Sequence, residues 1–270
     1  MQSEKPVRPQ RSTSGALFAE ERQVTILQLL QQYGKVTVDE LTDRLGVSPP
    51  TVRTDLSRLE AHGLLQRTHG GAIVVGHTLY EPPYSERAIL RQAEKKAVAA
   101  SAVALVKDGE TLLLDAGTTC HEIAQLLRGF RRLTVVTNSL ASAQVLAEND
   151  GIETILIGGQ VQSRRRAILG PLAALFLEPF QCDRSFVAIS GVHPESGFTV
   201  IDFDAAHLKR MMLAKAAQSV VVADSSKIGQ IAFACVGPLS TASLLITDGG
   251  ISSDDRTSLE SAGLRLLITD

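Results

Sequence analysis

The chain has 270 residues, of which 44% are hydrophobic and 21% charged, a composition that excludes a wholly disordered chain. Lys and Arg number 27 against 29 Asp and Glu, so the net charge of −2 excludes a protein that coats nucleic acid through its overall charge. The three cysteines are widely spaced, no apolar run reaches about 18 residues, and the amino terminus lacks the apolar core of a secretion signal. We therefore expect a cytoplasmic protein with neither a disulfide framework nor a metal site.

The pattern of apolar residues changes near residue 76. Short amphipathic helical patterns come before it, and apolar runs alternating with helical segments come after it. The predicted divisions are a flexible tail over residues 1–19, a domain over 20–75, a linker over 76–84 and a domain over 85–270. The linker contains a proline pair and has no clear period, which is typical of an extended segment.

The first domain has the pattern of a winged helix-turn-helix. After one amphipathic helix, Thr37 and Glu40 have the spacing of a capping box that opens a second helix. Gly46 suits a left-handed stop, and Ser48 with the two prolines after it suits the start of a third helix. Residues 64–75 predict two short strands around a Gly-Gly turn.

The third helix has the properties of one that reads DNA. Its apolar side chains fall on one face, and the other face carries small or hydrogen-bonding side chains that can enter a major groove about 12 Å wide. The predicted DNA contacts are Ser48, Thr51, Arg53, Thr54, Ser57 and Arg58, with Arg67 and His69 on the hairpin. An ordinary amphipathic helix with a solvated face is the alternative. Residues 1–75 carry nine Lys or Arg and eight Asp or Glu, so binding should depend on two copies of the domain.

The second domain alternates strands and helices. Short apolar runs recur at residues 111–114, 133–136, 154–157, 185–189, 219–223, 243–246 and 264–268. Runs that are apolar on both faces indicate a parallel sheet covered on both sides, and their alternation with helices indicates a doubly wound, three-layer α/β/α fold. The longest helical pattern covers residues 88–106. The predicted fold class of the chain is therefore α/β, with an N-terminal winged helix-turn-helix.

Glycines and short polar side chains follow several of these strands. Ligands of open parallel sheets bind beyond the carboxyl ends of the strands, where the strand order switches. The amides of a helix that starts near Thr119 suit a phosphate, and Lys227 adds a positive charge. The pattern predicts a pocket for a small anion, lined by Asp115, Gly117, Thr118, Thr119, Asn138, Ser139, Gly158, Gly159 and Lys227. Ordinary strand-to-helix turns are the alternative for each segment taken alone.

Both domains resemble the DeoR family of bacterial transcription regulators. Segments that carry the resemblance include residues 47–56, 69–72, 94–95, 114–119, 136–139, 209–211 and 224–229. The chain departs from the family pattern at Thr54, where a basic or amide residue is usual, and at Asp204, where Glu is frequent. The resemblance implies a sensor domain related in fold to phosphosugar isomerases. It also adds Arg22 to the DNA contacts, and Asp204 and Lys209 to the effector pocket.

The predicted function is regulation of transcription, as a repressor of carbohydrate-metabolism genes. The expected partners are double-stranded operator DNA, a phosphorylated sugar effector and further copies of the chain in a dimer or tetramer, with no cofactor and no membrane. The alternative is a sugar-phosphate isomerase-type enzyme with an accessory DNA-binding domain, for which Asp115, Asp204, His207 and Asp224 are candidate acid-base groups. Cys120, at a helix start, is either an activated thiolate or a buried small side chain. Because no motif pairs these groups, no catalytic residue is predicted.

Overall fold

The computed structural model describes residues 19–33, 35–61, 65–73 and 81–269. Contacts divide the chain into two units, Met1–Thr78 and Leu79–Asp270. The predicted tail before residue 19 lies outside the described residues, and so does the predicted linker up to residue 80. Within the described ranges, no helix is both long enough and apolar enough to cross a membrane.

The described residues of the first unit form three helices and three short strands. They are α1 (Ala19–Tyr33), α2 (Val38–Leu45), α3 (Pro49–Ala61), β1 (Lys35–Thr37), β2 (Gln66–Thr68) and β3 (Gly71–Ile73). Strand β3 pairs antiparallel with both other strands. Val52, Leu56 and Leu59 of α3 are buried, as the helical pattern predicts, and α3 contacts both α1 and α2.

The capping signals at the two ends of α2 are confirmed. The Thr37 hydroxyl accepts a hydrogen bond from the Glu40 amide at 3.2 Å, and the Glu40 carboxylate accepts one from the Thr37 amide at 2.8 Å. Gly46 ends the helix with a φ of 63°, a left-handed conformation that glycine adopts at little cost. These interactions are local, which is why the spacing of the residues is enough to predict them.

The hairpin differs in one respect from the prediction of a Gly-Gly turn. Its turn consists of His69 and Gly70, and Gly71 already lies in β3. A Cβ atom at position 71 would lie 2.0 Å from the carbonyl oxygen of Val36. Gly71 is therefore needed for the close approach of β3 to β1, a strand that the sequence pattern does not predict.

The described residues of the second unit form seven helices and twelve strands. The helices are α4 (Tyr84–Ile89), α5 (Gln92–Val103), α6 (Thr118–Leu127), α7 (Leu140–Leu146), α8 (Pro171–Leu177), α9 (Phe203–Ala214) and α10 (Ser253–Ser261). The strands are β4 (Thr111–Leu114), β5 (Leu133–Thr137), β6 (Ile152–Leu156), β7 (Gln160–Gln162), β8 (Ala167–Leu169), β9 (Cys182–Ala188), β10 (Gly191–His193), β11 (Gly197–Val200), β12 (Ala216–Val222), β13 (Ala234–Gly237), β14 (Leu244–Asp248) and β15 (Leu266–Thr269).

Seven strands form the parallel sheet that the apolar runs predict, and each run overlaps one of them. Their order across the sheet is β15-β14-β12-β9-β4-β5-β6. The chain builds outward from β4 to β6 and then returns to the other side of β4 with β9. The strand order therefore switches between β4 and β9, where ligands of such sheets bind.

Helices cover both faces of this sheet. Leu112 and Leu114 of β4 pack in one buried cluster with residues of α5 and α6, such as Val98 and Ile123. Leu113, between them in the strand, packs in a second cluster with residues of α8 and α9. Alternate side chains of one strand thus enter separate cores, which confirms the three-layer, doubly wound prediction.

The helical pattern over residues 88–106 is broken in the structure. Leu90 is extended, and Arg91 is left-handed with a φ of 49°, so α4 and α5 are separate helices. The buried Lys95 ammonium donates hydrogen bonds to the carbonyl oxygens of Arg87 and, at 2.6 Å, Leu90. Lys95 thereby satisfies carbonyls at the end of α4, an interaction that periodicity cannot reveal.

Five short strands outside the main sheet are not predicted by the sequence pattern. β7 pairs with β8, and β10, β11 and β13 form a second antiparallel sheet. Each has three or four residues, too few for an alternating pattern to be recognised. Isolated bridges join Ala167 to Ser139 and Val192 to Ile228, so both small sheets lie near the carboxyl edge of the main sheet.

Candidate functional site

The exposed face of α3 is a shallow groove of polar side chains. Arg53, Thr54, Ser57 and Arg58 line it together with Ala61. Each of the five is exposed, whereas the opposite face of the helix is buried. The structure therefore brings together four of the predicted DNA contacts on one accessible surface.

Hydrogen bonds within the first unit order most of these side chains. Thr54 donates to the carbonyl of Pro50 at 3.0 Å, and Ser57 donates to that of Arg53 at 2.9 Å. The Arg67 guanidinium, on β2, donates to the Ser57 hydroxyl at 2.9 Å and so joins the hairpin to the helix. The Arg53 guanidinium makes no hydrogen bond or ion pair with any described residue, so it can meet a new acceptor at no cost in intramolecular contacts.

Three further predicted contacts, Ser48, Thr51 and His69, are not among the residues that line this groove. The hydroxyls of Ser48 and Thr51, at the start of α3, are 2.9 Å apart. His69 is exposed in the hairpin turn. Ser48 and His69 are exposed and Thr51 is half-buried, and the contact of all three with DNA stays a prediction.

Arg22 has a different environment from the other predicted DNA contacts. Its guanidinium Nε lies 2.9 Å from a carboxylate oxygen of Asp55, whose side chain is 2% exposed. Gln23 donates to the other oxygen of the same carboxylate at 3.1 Å. Arg22 thus joins α1 to α3 from a partly buried position, which gives it a structural role that its sequence neighbours do not indicate.

In the second unit, a buried ion pair lies at the switch in strand order. Asp115 follows β4, and its Oδ2 accepts from the Ala188 amide at the end of β9 at 3.1 Å. The same oxygen accepts from the Lys209 ammonium of α9. Asp115 Oδ1 is buried and has no hydrogen-bond partner among the described residues. Whether a ligand bonds to this oxygen stays a prediction.

The next strand end is tied to the first by buried polar groups. Asn138 accepts from the Ala116 amide at 2.7 Å, and Thr137 donates to the Leu114 carbonyl at 2.6 Å. The Ser139 hydroxyl accepts from the Ser142 amide and caps α7. Asn138 and Ser139 are therefore required for the shape of this edge, whatever they contact in a ligand.

The start of α6 has the features expected of an anion site. Its N-cap residue is Gly117, so no side chain caps the first turn. Thr118 and Thr119 are buried, and neither hydroxyl is hydrogen-bonded to a described residue. Unused amides and hydroxyls at a helix start are suited to phosphate oxygens.

Lys227 lies at the same edge of the sheet, beyond β12 and two strands away from β4. Asp224 caps the short turn that contains it. Lys95, in a segment that carries the family resemblance, is a nearby cation that the sequence analysis did not assign to the pocket. Burial lowers the pKa of Lys95 to about 8, the charge of Asp224 opposes that change, and the charge of Lys227 adds to it.

The remaining predicted effector residues are explained by packing or lie at the surface. A Cβ atom at Gly159 would lie 2.9 Å from the Ile168 side chain and 3.1 Å from that of Ala173, so packing alone requires a glycine there. Gly158 beside it is exposed, and so is Asp204 in the first turn of α9. Ligand contacts by Gly158, Gly159 and Asp204 stay predictions.

An ion-pair network links α9 to the start of the second unit. Asp202 caps α9 and lies 2.8 Å from Arg165, in the loop between β7 and β8. Arg165 also lies 2.6 Å from Glu81, which in turn lies 2.7 Å from Arg87. Arg165 thus bridges two carboxylates, a role that its sequence neighbours do not indicate.

Cys120 and His207, two of the groups considered for enzyme chemistry, lie in different environments. Burial raises the pKa of the Cys120 thiol well above its usual range, and Cys120 Sγ lies 3.7 Å from the Phe186 carbonyl. Of the two interpretations of Cys120, an activated thiolate or a buried small side chain, the second therefore agrees with the structure. His207 is exposed, and no cluster of three His, Cys, Asp or Glu among the described residues could hold a metal ion.

Both parts of the chain match known domain families. Residues 22–78 match the DeoR-like helix-turn-helix domain, and residues 90–249 match the DeoR C terminal sensor domain. The chain belongs to the DeoR family. In this DeoR-family regulator, the first match contains the α3 groove, and the second contains every predicted effector residue.

Similar proteins span nearly the whole of this DeoR-family chain. The HTH-type transcriptional regulator GlpR of Haloferax volcanii is 37% identical over 92% of this chain and 96% of its own. GolR of Listeria innocua, also named as a regulator, is 36% identical over 94% of this chain and 100% of its own. The HTH-type transcriptional repressor GlcR of Bacillus subtilis is 33% identical over 94% of this chain and 98% of its own. The chain is therefore a transcriptional regulator, and the isomerase-type enzyme is not supported.

The solved structures offer a weaker likeness. Ribose 5-phosphate isomerase A from Methanocaldococcus jannaschii aligns with a TM-score of 0.37 and 18% identity, over 50% of this chain and 54% of that one. This partial likeness carries no argument about function.

Proposed function

We propose that this DeoR-family regulator represses carbohydrate-metabolism genes and binds its operator as a homo-oligomer. We also propose that a phosphorylated sugar, bound at the switch point between β4 and β9, weakens its hold on DNA. One relative, GlcR, is named as a repressor, which supports repression over activation. Two observations support the proposal: the exposed polar face of α3, and the buried polar cluster at the switch point, where Asp115 Oδ1 has no hydrogen-bond partner among the described residues.

The α3 groove is the proposed reader of operator bases. Arg53 is exposed and has no hydrogen bond or ion pair with a described residue, and it lies near the start of the helix, where side chains of helix-turn-helix proteins meet base edges. Arg67 and Arg58, at the sides of the groove, would meet phosphates. Two copies are required because residues 1–75 carry little net charge, and a two-fold dimer presents the helix twice.

Substitution of Arg53 tests this part of the proposal. A direct base contact is worth about 1–3 kcal/mol, so Arg53→Ala should weaken operator binding about 5- to 150-fold per subunit. Fluorescence anisotropy at fixed salt would measure this, with DNA from the intergenic region beside the gene. Arg128→Ala, which removes an exposed arginine from the second unit, is the matched control. Equal affinities of the two variants would contradict the assignment of α3.

The switch-point pocket is the proposed effector site. The phosphate would accept hydrogen bonds at the start of α6 from Thr118, Thr119 and the free amides, with Lys227 contributing charge. A sugar hydroxyl would donate to Asp115 Oδ1, the acceptor that the fold leaves unsatisfied. An unphosphorylated sugar lacks the charged half of these contacts, so it should bind far more weakly.

The ion pairs of Arg165 offer a route from this pocket to the DNA-binding unit. Lys209 contacts Asp115 in the pocket, and Asp202 caps the same helix, α9. Arg165 connects Asp202 to Glu81, which lies within the predicted linker. A shift of α9 on ligand binding would therefore act on the chain where it leaves the DNA-binding unit.

A double substitution tests the effector site. Thr118→Ala with Lys227→Ala should leave operator affinity unchanged in the absence of ligand and abolish the response to the effector. In the wild type, saturating effector should reduce operator affinity roughly 5- to 150-fold, the usual size of allosteric coupling. Titrations with a panel of sugar phosphates and their unphosphorylated forms, in the presence of operator, would measure it.

The control for the double substitution is Lys107→Ala, which removes an exposed lysine before β4 at the opposite edge of the sheet. If the double variant responds like the wild type, the pocket lies elsewhere. If no phosphorylated sugar changes wild-type affinity, the effector class is wrong.

A further inference from the structure

Two carboxylates hold the short turn that carries Lys227. The turn, Ser225–Lys227, follows β12 at the carboxyl edge of the main sheet, and we call it the Lys227 turn. The Asp224 carboxylate, directly before it, accepts hydrogen bonds from the Ser226 amide at 3.2 Å and from the Ser226 hydroxyl. The second carboxylate belongs to Asp248, the last residue of the neighbouring strand β14. The turn is therefore held from its own strand and from the next one.

The Asp248 carboxylate uses both of its oxygens to bind backbone amides. Oδ1 accepts from the Ser225 amide at 2.6 Å, and Oδ2 accepts from the Gly250 amide at 3.0 Å. Asp248 is buried, and none of the described residues forms an ion pair with it. Burial of a carboxylate without a cation is costly, and the two hydrogen bonds offset part of that cost. Asp248 thus joins the start of the Lys227 turn to the loop after β14.

Gly250 allows this loop to approach the Lys227 turn closely. A Cβ atom at position 250 would lie 2.5 Å from Ser225 Oγ and 2.8 Å from an oxygen of the Asp248 carboxylate. Both distances are too short for real Cβ atoms, so a side chain at position 250 would displace Ser225 or the carboxylate. Asp248 and Gly250, which are more than 20 residues away from Lys227 in sequence, therefore fix the start of its turn.

The position of the Lys227 turn determines what the Lys227 ammonium can reach. The Lys227 amide donates to the Asp224 carbonyl at 3.0 Å, and Ile228, the next residue, is bridged to Val192 of β10. The backbone on either side of Lys227 is thus fixed, whereas its side chain is long and flexible. Binding groups must be held to within about 0.5 Å of their productive positions by the residues that support them. A shift of the turn should therefore weaken any contact that Lys227 makes.

We propose that Asp248, together with Gly250, is a positioning residue of the effector site. It holds the Lys227 turn where the Lys227 ammonium meets the effector phosphate, and its own oxygens stay on the backbone. The inference rests on the proposed function, from which it takes the contact between Lys227 and a phosphate. The hold of Asp248 on the turn can also be measured without an effector.

Substitution of Asp248 provides the first test. Asp248→Asn keeps the size of the side chain and replaces one of the two acceptor oxygens by a donor. It should raise the sugar-phosphate concentration for half-maximal release of operator about 10-fold or more, since a charge-assisted contact is weakened. The probes are ribose 5-phosphate, fructose 1-phosphate and glucose 6-phosphate, each beside its free sugar. Asp254→Asn, at an exposed aspartate of α10, is the matched control. Gly250→Ala should act like Asp248→Asn, although it removes no carboxylate.

A double-substitution cycle distinguishes positioning from a general loss of structure. Lys227→Ala alone keeps the contacts at the start of α6, so a weakened response remains measurable. In that background, Asp248→Asn should cause no further weakening, because the group that it positions is gone. If Asp248→Asn weakens the response equally with and without Lys227, or leaves the wild-type response unchanged, the proposal is overturned. If none of the three sugar phosphates releases wild-type operator, the proposed function fails instead.

Hydrogen exchange tests the hold on the turn without an effector. In Asp248→Ala, amides of residues 224–230 should exchange about 5-fold faster or more than in the wild type, since the acceptor of the Ser225 amide is lost. Asp254→Ala is the control, and unchanged exchange in β4 and α5 shows that the variant remains folded. Exchange at the turn that is equal in Asp248→Ala and the wild type would overturn the proposal, whatever the operator titrations show.

Discussion

The α3 groove and the switch-point pocket hold their polar side chains in opposite ways. In the groove, Thr54 and Ser57 are exposed and bonded to carbonyls one turn earlier in their own helix. In the pocket, Asp115 and Asn138 are buried and bonded to groups from other strands and helices. The first surface depends on one helix, and the second depends on the assembled fold.

The difference agrees with the size of each proposed partner. A DNA duplex covers a wide surface, and exposed side chains can exchange a local hydrogen bond for one to DNA at little cost. A small anion must be surrounded, so its site consists of groups already withdrawn from water and fixed by one another. Substitutions in the groove should therefore change binding alone, while substitutions in the pocket should change stability as well.

The largest expected effect is that of Asp115→Ala. It leaves the Lys209 ammonium buried without its carboxylate, which should lower the free energy of unfolding by about 3–5 kcal/mol. Urea unfolding followed by circular dichroism would measure the loss. Asp204→Ala removes an exposed carboxylate from the same region and should change stability by less than about 0.5 kcal/mol. Similar free energies of unfolding for the two variants would show that the buried Asp115 carboxylate matters no more to stability than the exposed Asp204 carboxylate.

Lys95 should make the stability of the second unit depend on pH. Its pKa is about 8 in the folded chain and 10.5 in the unfolded one, so between these values the unfolded state binds more protons. Stability should then rise with pH over that window, by at most about 3 kcal/mol. Lys95→Met should lack this rise, so the comparison of urea unfolding at both ends of the window isolates it. An identical pH dependence in the variant would be the contrary result.

Substitution of Arg22 tests whether this predicted DNA contact instead stabilises the first unit through its ion pair with Asp55. Arg22→Ala should lower the free energy of unfolding by about 1–3 kcal/mol. The buried Asp55 carboxylate would lose the Arg22 guanidinium and keep its hydrogen bond from Gln23. Arg53→Ala, on the same unit, should leave stability unchanged. Thermal unfolding of both variants distinguishes them. If Arg22→Ala weakens operator binding with no loss of stability, its role is DNA contact after all.

The smallest expected effect on stability is that of Thr54→Ala. Thr54 is exposed, and among the described residues its hydroxyl bonds only to the carbonyl of Pro50, so the free energy of unfolding should change by less than about 0.5 kcal/mol. Operator affinity should change more than that, since position 54 faces the groove. Parallel unfolding and anisotropy measurements would show whether the two quantities separate. A stability loss larger than the binding loss would place Thr54 with the buried residues.

Residues close in sequence were predicted best. The capping box of Thr37 and Glu40, the left-handed Gly46 and the apolar back of α3 involve separations of a few residues, which spacing alone reveals. The seven parallel strands also emerged from their apolar runs. Arg165, by contrast, was indistinguishable from a solvated residue, because its partners Glu81 and Asp202 are far from it in sequence.

The sequence by itself determined the two-part organisation, the α/β class, the polar face of α3 and the strand ends where a ligand site belongs. Helix periodicity, strand periodicity and capping involve residues close in sequence, so they can be recognised in the sequence alone. Only the tertiary structure decided that Asp115 pairs with Lys209, that Arg22 pairs with Asp55, and that α8 keeps an apolar face exposed. Those outcomes depend on which residues distant in sequence become neighbours, and on which faces remain uncovered once the layers have packed.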